Sequence, residues 1–124
     1  PISMKRGLVG TFERFRSAYF AANGSTGVIS PEIRKRVQFL RHSLQDSFAP
    51  IGAVDLVLMR YVTIYFSPEF KVTLWPRVHT ILRPFGVLML GAAETLLGQE
   101  QLFRLERHER AYFYRVNKSE PGGI

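Results

Sequence analysis

Two short apolar runs bracket one helix-like stretch, and this arrangement restricts the chain more than any other feature. Val54-Asp55-Leu56-Val57-Leu58-Met59 is almost continuously apolar, the mark of a strand buried on both faces. Ser67-Pro68-Glu69 then starts a helix, with Ser as cap, Pro where a missing N–H is harmless, and an acid for the helix dipole. Phe70, Leu74, Val78, Ile81 and Leu82 lay an apolar stripe along it until Pro84-Phe85-Gly86 ends it. Pro76 lies inside this pattern and predicts a kink or a later start. A second buried run, Val87-Leu88-Met89-Leu90, closes at Gly91. Two buried strands joined by a helix make a parallel pair with a crossover, so the chain is α/β.

The flanking segments are less uniform. Residues 94–101 predict a short helix, with Glu94 as the dipole partner at its start. Residues 103–107 and 111–116 predict two strands turning at His108-Glu109-Arg110. Upstream, residues 2–22 mix Arg with aromatic residues at weak periodicity. Asn23-Gly24-Ser25-Thr26-Gly27 is turn chemistry between two strand-like stretches and reads as a hairpin tip. Ser30-Pro31-Glu32 repeats the helix start, and Ile33, Val37 and Leu40 follow at helical spacing. Val37 to Leu40 alternate into a strand equally well, and periodicity leaves both open. The polar, Gly-rich residues 117–124 are expected to fray as a flexible tail.

Composition excludes several classes. A chain of 124 residues with 46% hydrophobic and 22% charged residues is globular, and no apolar run approaches the ~20 residues of a membrane helix. Membrane insertion is therefore not expected. Without cysteine there are no disulfides, thiolate metal sites or thiol nucleophiles, which fits a cytoplasmic location. His42, His79 and His108 have no acid at ligand spacing, so no metal is expected. Trp75, beside Pro76, reads as packing. A net charge of +7 favours acidic partners, yet the basic residues are scattered rather than run together, which speaks against nucleic acid and for a solvated basic surface. The chain opens at Pro1 and is expected to be a processed or cut piece.

Residues 54–66, V-D-L-V-L-M-R-Y-V-T-I-Y-F, resemble the chemotaxis-receptor (CheR-type) methyltransferase signature F-D-x-I-x-C-R-N-V-L-I-Y-F. Residues 82–94 are similar to the later L-x-P-G-G-x-L-x-x-G-H-S-E segment of that family. The two stand in the right order with a helix between them. Tyr19-Phe20 and Val37-x-Phe39-x-x-x-Ser43-Leu44 resemble its Y-F and V-x-F-x-x-x-N-L landmarks. The resemblance runs from about Tyr19 to Arg115.

That resemblance implies the C-terminal half of a Rossmann-like sheet ending in an antiparallel strand pair, preceded by a small antiparallel β subdomain. It divides the chain into residues 1–45, the partner-docking β subdomain with a basic N-terminal segment, residues 46–116, and the tail. It makes residues 19–29 a hairpin and residues 37–44 a strand. The implied activity is transfer of a methyl group from S-adenosylmethionine to receptor glutamates in chemotactic signal transduction. Arg60 and Tyr65 would be catalytic, and Ser43, Leu44, Tyr61 and Val62 would line the cofactor.

Chemoreceptor-type proteins or acidic peptides are the implied partners, with Arg14, Arg16 and Arg34-Lys35-Arg36 beside the hairpin to attract them. An unpaired edge on the strand at residues 54–59 implies a homo-oligomer, a swapped assembly or a local segment that covers it. Three departures stand out: Ser43 and Tyr61 replace cofactor-contacting Asn residues, and Ala92 replaces a His. No Gly-rich turn follows a buried strand, so a complete cofactor site is not expected, and the chain alone is expected to be inactive. The alternative is a non-catalytic interaction module with the same fold.

Overall fold

The computed structural model describes residues 13–23, 26–96 and 98–119. It divides into two compact units, Pro1–Arg41 and His42–Ile124, four residues before the expected boundary. In the first, helix α1 (Glu13–Tyr19) leads into an antiparallel hairpin of β1 (Phe20–Asn23) and β2 (Thr26–Ile29), with Asn23 opposite Thr26. The hairpin agrees with the sequence expectation; its tip, Gly24-Ser25, lies outside the described residues, and α1 was not anticipated. The Phe15 and Tyr19 rings stack across one helical turn with centroids 6.3 Å apart.

Helix α2 spans only Pro31–Arg34. Neither the longer helix nor the strand anticipated at residues 37–44 is present, and Phe39 is 79% exposed. A strand exists only where a neighbour supplies the ladder, and no described segment pairs with this one.

The second unit holds β3 (Val54–Met59), α3 (Pro68–Ile81), β4 (Leu82–Leu90), β5 (Phe103–His108) and β6 (Ala111–Val116). Strand order is β3-β4-β6-β5: β3 and β4 are parallel, and β6 is antiparallel to both β4 and β5. This is the mixed sheet with an antiparallel end that the sequence predicts. Ser67 Oγ accepts the Phe70 N–H at 3.2 Å, capping α3 as read. Pro76 does not delay the helix; the Thr80 hydroxyl donates to its carbonyl oxygen at 2.9 Å.

Helix α3 passes directly into β4, so Pro84-Phe85-Gly86 lies in the strand rather than in a stop. The pairing jumps from Val54 opposite Leu82 to Leu56 opposite Val87, an outward bulge that holds Phe85 at φ 67. An aromatic residue in the left-handed region costs about 1 kcal/mol, at a position where the family pattern carries Gly.

Leu74, Trp75 and Val78 of α3 pack on Met59, Leu88, Leu90, Phe103 and Val116. That face of the sheet is closed. The other is not: Leu56 is 51% and Leu58 64% exposed, so the run read as buried on both faces is covered on one among the described residues. The segment read as a fraying tail is tied down where it begins. The Asn117 N–H donates to Leu102 O, and Lys118 Nζ donates to the carbonyl oxygens of His79, Thr80 and Leu82, which terminate α3. Residues 120–124 lie outside the described set.

Candidate functional site

The carboxyl ends of β3 and β4 face the same way because the strands are parallel, and ligands of open α/β sheets bind beyond such ends. Here the chain leaves β3 through Arg60, Tyr61 and Val62 into a single 3-10 turn, Thr63–Tyr65. It leaves β4 at Gly91. Glu94 joins the two exits.

Glu94 is 7% exposed, and its carboxylate accepts four hydrogen bonds. Oε2 takes the backbone N–H groups of Tyr61 and Gly91, each at 2.7 Å; Oε1 takes the Thr63 N–H at 2.9 Å and the Thr63 hydroxyl at 2.5 Å. Burial pushes this carboxyl up, and the Thr63 hydroxyl with the Tyr61, Gly91 and Thr63 N–H groups more than offsets it. The pKa falls from 4.5 to about 2. A carboxylate offers about four lone-pair positions, so this one is saturated from within the chain.

Among the described residues of 94–101 the expected helix is absent. Glu94 is not a dipole partner; it is the tie that shapes the loop after β3. The sequence held one signal for it, an acid three residues beyond the Gly that closes a buried strand, aligned with the acid of the family segment.

Gly91 is required by space. A Cβ there would lie 2.7 Å from Glu94 Oε2 and 2.8 Å from the Tyr61 ring. Tyr61 itself has φ 60, a left-handed conformation that Asn, the family residue at this position, tolerates better than Tyr.

Arg60 lines a cleft of about 700 Å³ with Gly91, Glu94, Leu105, Arg110 and Tyr112, and its guanidinium lies 5.4 Å from the Tyr61 ring centroid. Tyr65 closes the 3-10 turn with its side chain 81% exposed. Val62 packs against the core from the same loop. The remaining expected cofactor residues lie elsewhere. Ser43 Oγ accepts the Gln45 N–H at 3.2 Å, a local turn, and Leu44 lines a separate apolar hollow of about 290 Å³ with Phe48, Val54, Met59 and Val78 along the β3 edge. Arg77 fixes that stretch by donating to the carbonyl oxygens of Leu44 and Asp46. The structure thus gathers Arg60, Tyr61, Val62 and Tyr65 on one loop, with Ser43 and Leu44 apart from it.

A βαβ unit with an antiparallel end and a cleft at the carboxyl ends of its parallel strands is the architecture of a fragment of a Rossmann-like α/β fold. The family profile described as "CheR methyltransferase, SAM binding domain" matches residues 5–112, and the chain belongs to that family. It is 36% identical over 115 residues to chemotaxis protein methyltransferase 1 of Pseudomonas aeruginosa, and 32% identical over 115 residues to a chemotaxis protein methyltransferase of Vibrio parahaemolyticus. Each of these matches covers 93% of this chain and 41% of the relative. The chain therefore spans about two fifths of the length of those proteins. Over 106 residues it is 34% identical to a chemotaxis protein methyltransferase of Listeria innocua, covering 78% of this chain and 40% of that one.

The cofactor of this family's domain is S-adenosylmethionine. Among the residues expected to line it, Ser43 and Tyr61 have polar groups already taken up by contacts within the chain. Leu44 and Val62 offer apolar surface, but Ser43 Oγ and the Tyr61 N–H are already engaged, and the buried acid is saturated.

Proposed function

We propose that this chain is the C-terminal portion of an enzyme that methylates glutamate side chains of chemoreceptors in the cytoplasm, with S-adenosylmethionine as donor. One observation carries the reading: a buried, ionised Glu94 holds the loop bearing Arg60 and Tyr65 at the mouth of a cleft beyond two parallel strands. The donor supplies an already activated methyl group, so the protein's task is to place the acceptor in line and exclude water. Arg60 would neutralise and orient the acceptor carboxylate, and the Tyr65 hydroxyl would donate to its second oxygen. Tyr61, Val62, Ser43 and Leu44 would border the cofactor.

The test uses the parent protein, radiolabelled S-adenosylmethionine and a chemoreceptor cytoplasmic domain. Tyr65→Phe and Arg60→Gln are each expected to lower kcat/KM about a hundredfold, the usual scale for one positioned polar group. Turnover unchanged in both variants would overturn the roles, and no label on receptor glutamates would overturn the reaction.

Because no Gly-rich turn follows a buried strand here, and Ser43 and Tyr61 replace Asn, this chain alone is expected to bind S-adenosylhomocysteine more weakly than about 100 μM. Calorimetry giving a low-micromolar dissociation constant, about −8 kcal/mol, would contradict that. A second reading, a non-catalytic interaction module, is favoured by Tyr61 standing at φ 60 in place of an Asn. Labelling of receptor by the parent protein would exclude it.

A further inference from the structure

Arginines in the second unit are almost all spent on the fold. Arg77 donates to Leu44 and Asp46 carbonyls, Arg83 to Asp55 at 2.9 Å, and Arg107 to the Glu109 carbonyl at 2.7 Å. Arg104 and Arg115 share the Glu106 carboxylate at 3.1 and 3.0 Å. The remaining two, Arg60 and Arg110, have no hydrogen bond or ion pair among the described residues, and both line the cleft at the end of β4.

The acid in that cleft, Glu94, turns its four lone-pair positions toward the Tyr61, Gly91 and Thr63 N–H groups and the Thr63 hydroxyl, so it neutralises neither guanidinium by contact. Arg110 sits in the turn between β5 and β6, where Glu109 at φ 55 and the Arg107 brace hold the hairpin tip in one shape. Beside it, Leu105 and Tyr112 are each 57% exposed. Two guanidiniums with no acid or hydrogen-bond partner among the described residues share one recess beside apolar surface, and a carboxylate flanked by an apolar residue matches them. A nucleic-acid backbone would ask instead for a spaced row of cations.

We propose that Arg110 is a specificity-determining residue that, with Arg60, selects a carboxylate-bearing peptide segment for this cleft. The assignment rests on reading the cleft as the acceptor side of a methyltransferase, and it concerns acceptor recognition alone. Arg110 supplies the charge that distinguishes glutamate from glutamine, while Leu105 and Tyr112 hold the neighbouring side chain.

The test is an NMR titration of this chain with an end-blocked pentapeptide containing one glutamate and one leucine, and with its glutamine counterpart. The glutamate peptide is expected to shift the amides of Arg60, Gly91 and Tyr112 and to bind about tenfold tighter than the glutamine peptide, the loss expected for one charge-assisted pair. Arg110→Gln is expected to abolish that preference without altering the glutamine peptide. Arg83→Gln, at the opposite end of β4 and committed to Asp55, is expected to preserve it. The proposal is overturned by equal binding of the two peptides, by a preference that survives Arg110→Gln, by an equal loss in Arg83→Gln, or by no shifts at millimolar peptide. Tighter binding of a single-stranded oligonucleotide in the same cleft overturns it as well. No cofactor enters this titration, so its outcome is separate from the methyl-transfer assay, whose failure would remove the reaction and leave the carboxylate preference standing.

Discussion

Glu94→Gln is expected to lower the folding stability of this chain by about 3 kcal/mol, read from urea unfolding followed by Trp75 fluorescence. The carboxylate takes two donors on each oxygen, and an amide can satisfy only one of those pairs. Whichever way the amide turns, its NH₂ meets two N–H or O–H donors in a buried place, and each orphaned donor costs roughly 1–3 kcal/mol. Trp75, the single tryptophan, is 2% exposed and reports on the core that the loop closes.

The same carboxylate sets an acid dependence. Its folded pKa, about 2, lies below the ordinary 4.5, so its contribution is fully present above about pH 4.5 and is lost as pH falls toward about 2. That fall in pKa corresponds to roughly 3 kcal/mol, at about 1.4 kcal/mol for each tenfold change. Stability measured from pH 6 down to pH 2.5 should therefore decline more steeply in the native chain than in Glu94→Gln. Parallel declines would mean that Glu94 is not the titrating group. Some slope is expected to remain in the variant, because Glu106, although burial raises it, is held below the ordinary range by its hydrogen bonds to Arg115 and Arg104.

Gly91→Ala is expected to cost about 2–3 kcal/mol. The new methyl would sit 2.7 Å from Glu94 Oε2 and 2.8 Å from the Tyr61 ring, so one of the two must leave. If the ring is what yields, Tyr61→Gly should restore much of the loss, because it frees the space and removes a left-handed non-glycine residue together. The two changes are then strongly non-additive, and a double-mutant cycle measures the coupling. Strict additivity would show that the Tyr61 ring does not crowd Gly91.

Local chemistry made much of this legible in advance. Ser67 and Pro68 set the start of α3 by a mechanism that needs no tertiary partner, and the apolar runs at β3 and β4 are dense enough to be strands wherever they land. The Asn23–Gly27 turn brought its hairpin with it. What failed depends on neighbours. Residues 37–44 carry a strand pattern, but no described segment offers them a ladder. Phe85 reads as part of a helix stop, while a bulge against β3 keeps it in a strand. Glu94 was the least legible, since an acid at a presumed helix start and an acid receiving four donors from three separate residues look alike in one dimension. The loop bearing Arg60, Tyr61, Val62 and Tyr65 was readable through family resemblance; its tie to Glu94 was not.

The strand order β3-β4-β6-β5 has a consequence for how this unit is made. Of the described strands, β6 is the last to be synthesised, and it lies inside the sheet between two partners that precede it. Until Ala111–Val116 leaves the ribosome, β5 has no neighbour among the described strands and the end of β4 stands open. Lys118, which closes the α3 carbonyls, arrives later still. Pairing of the described sheet during translation thus waits for residues 111–118. Premature termination before Ala111 leaves an unpaired, aggregation-prone intermediate rather than a smaller stable domain, the kind of product that cellular proteolysis clears.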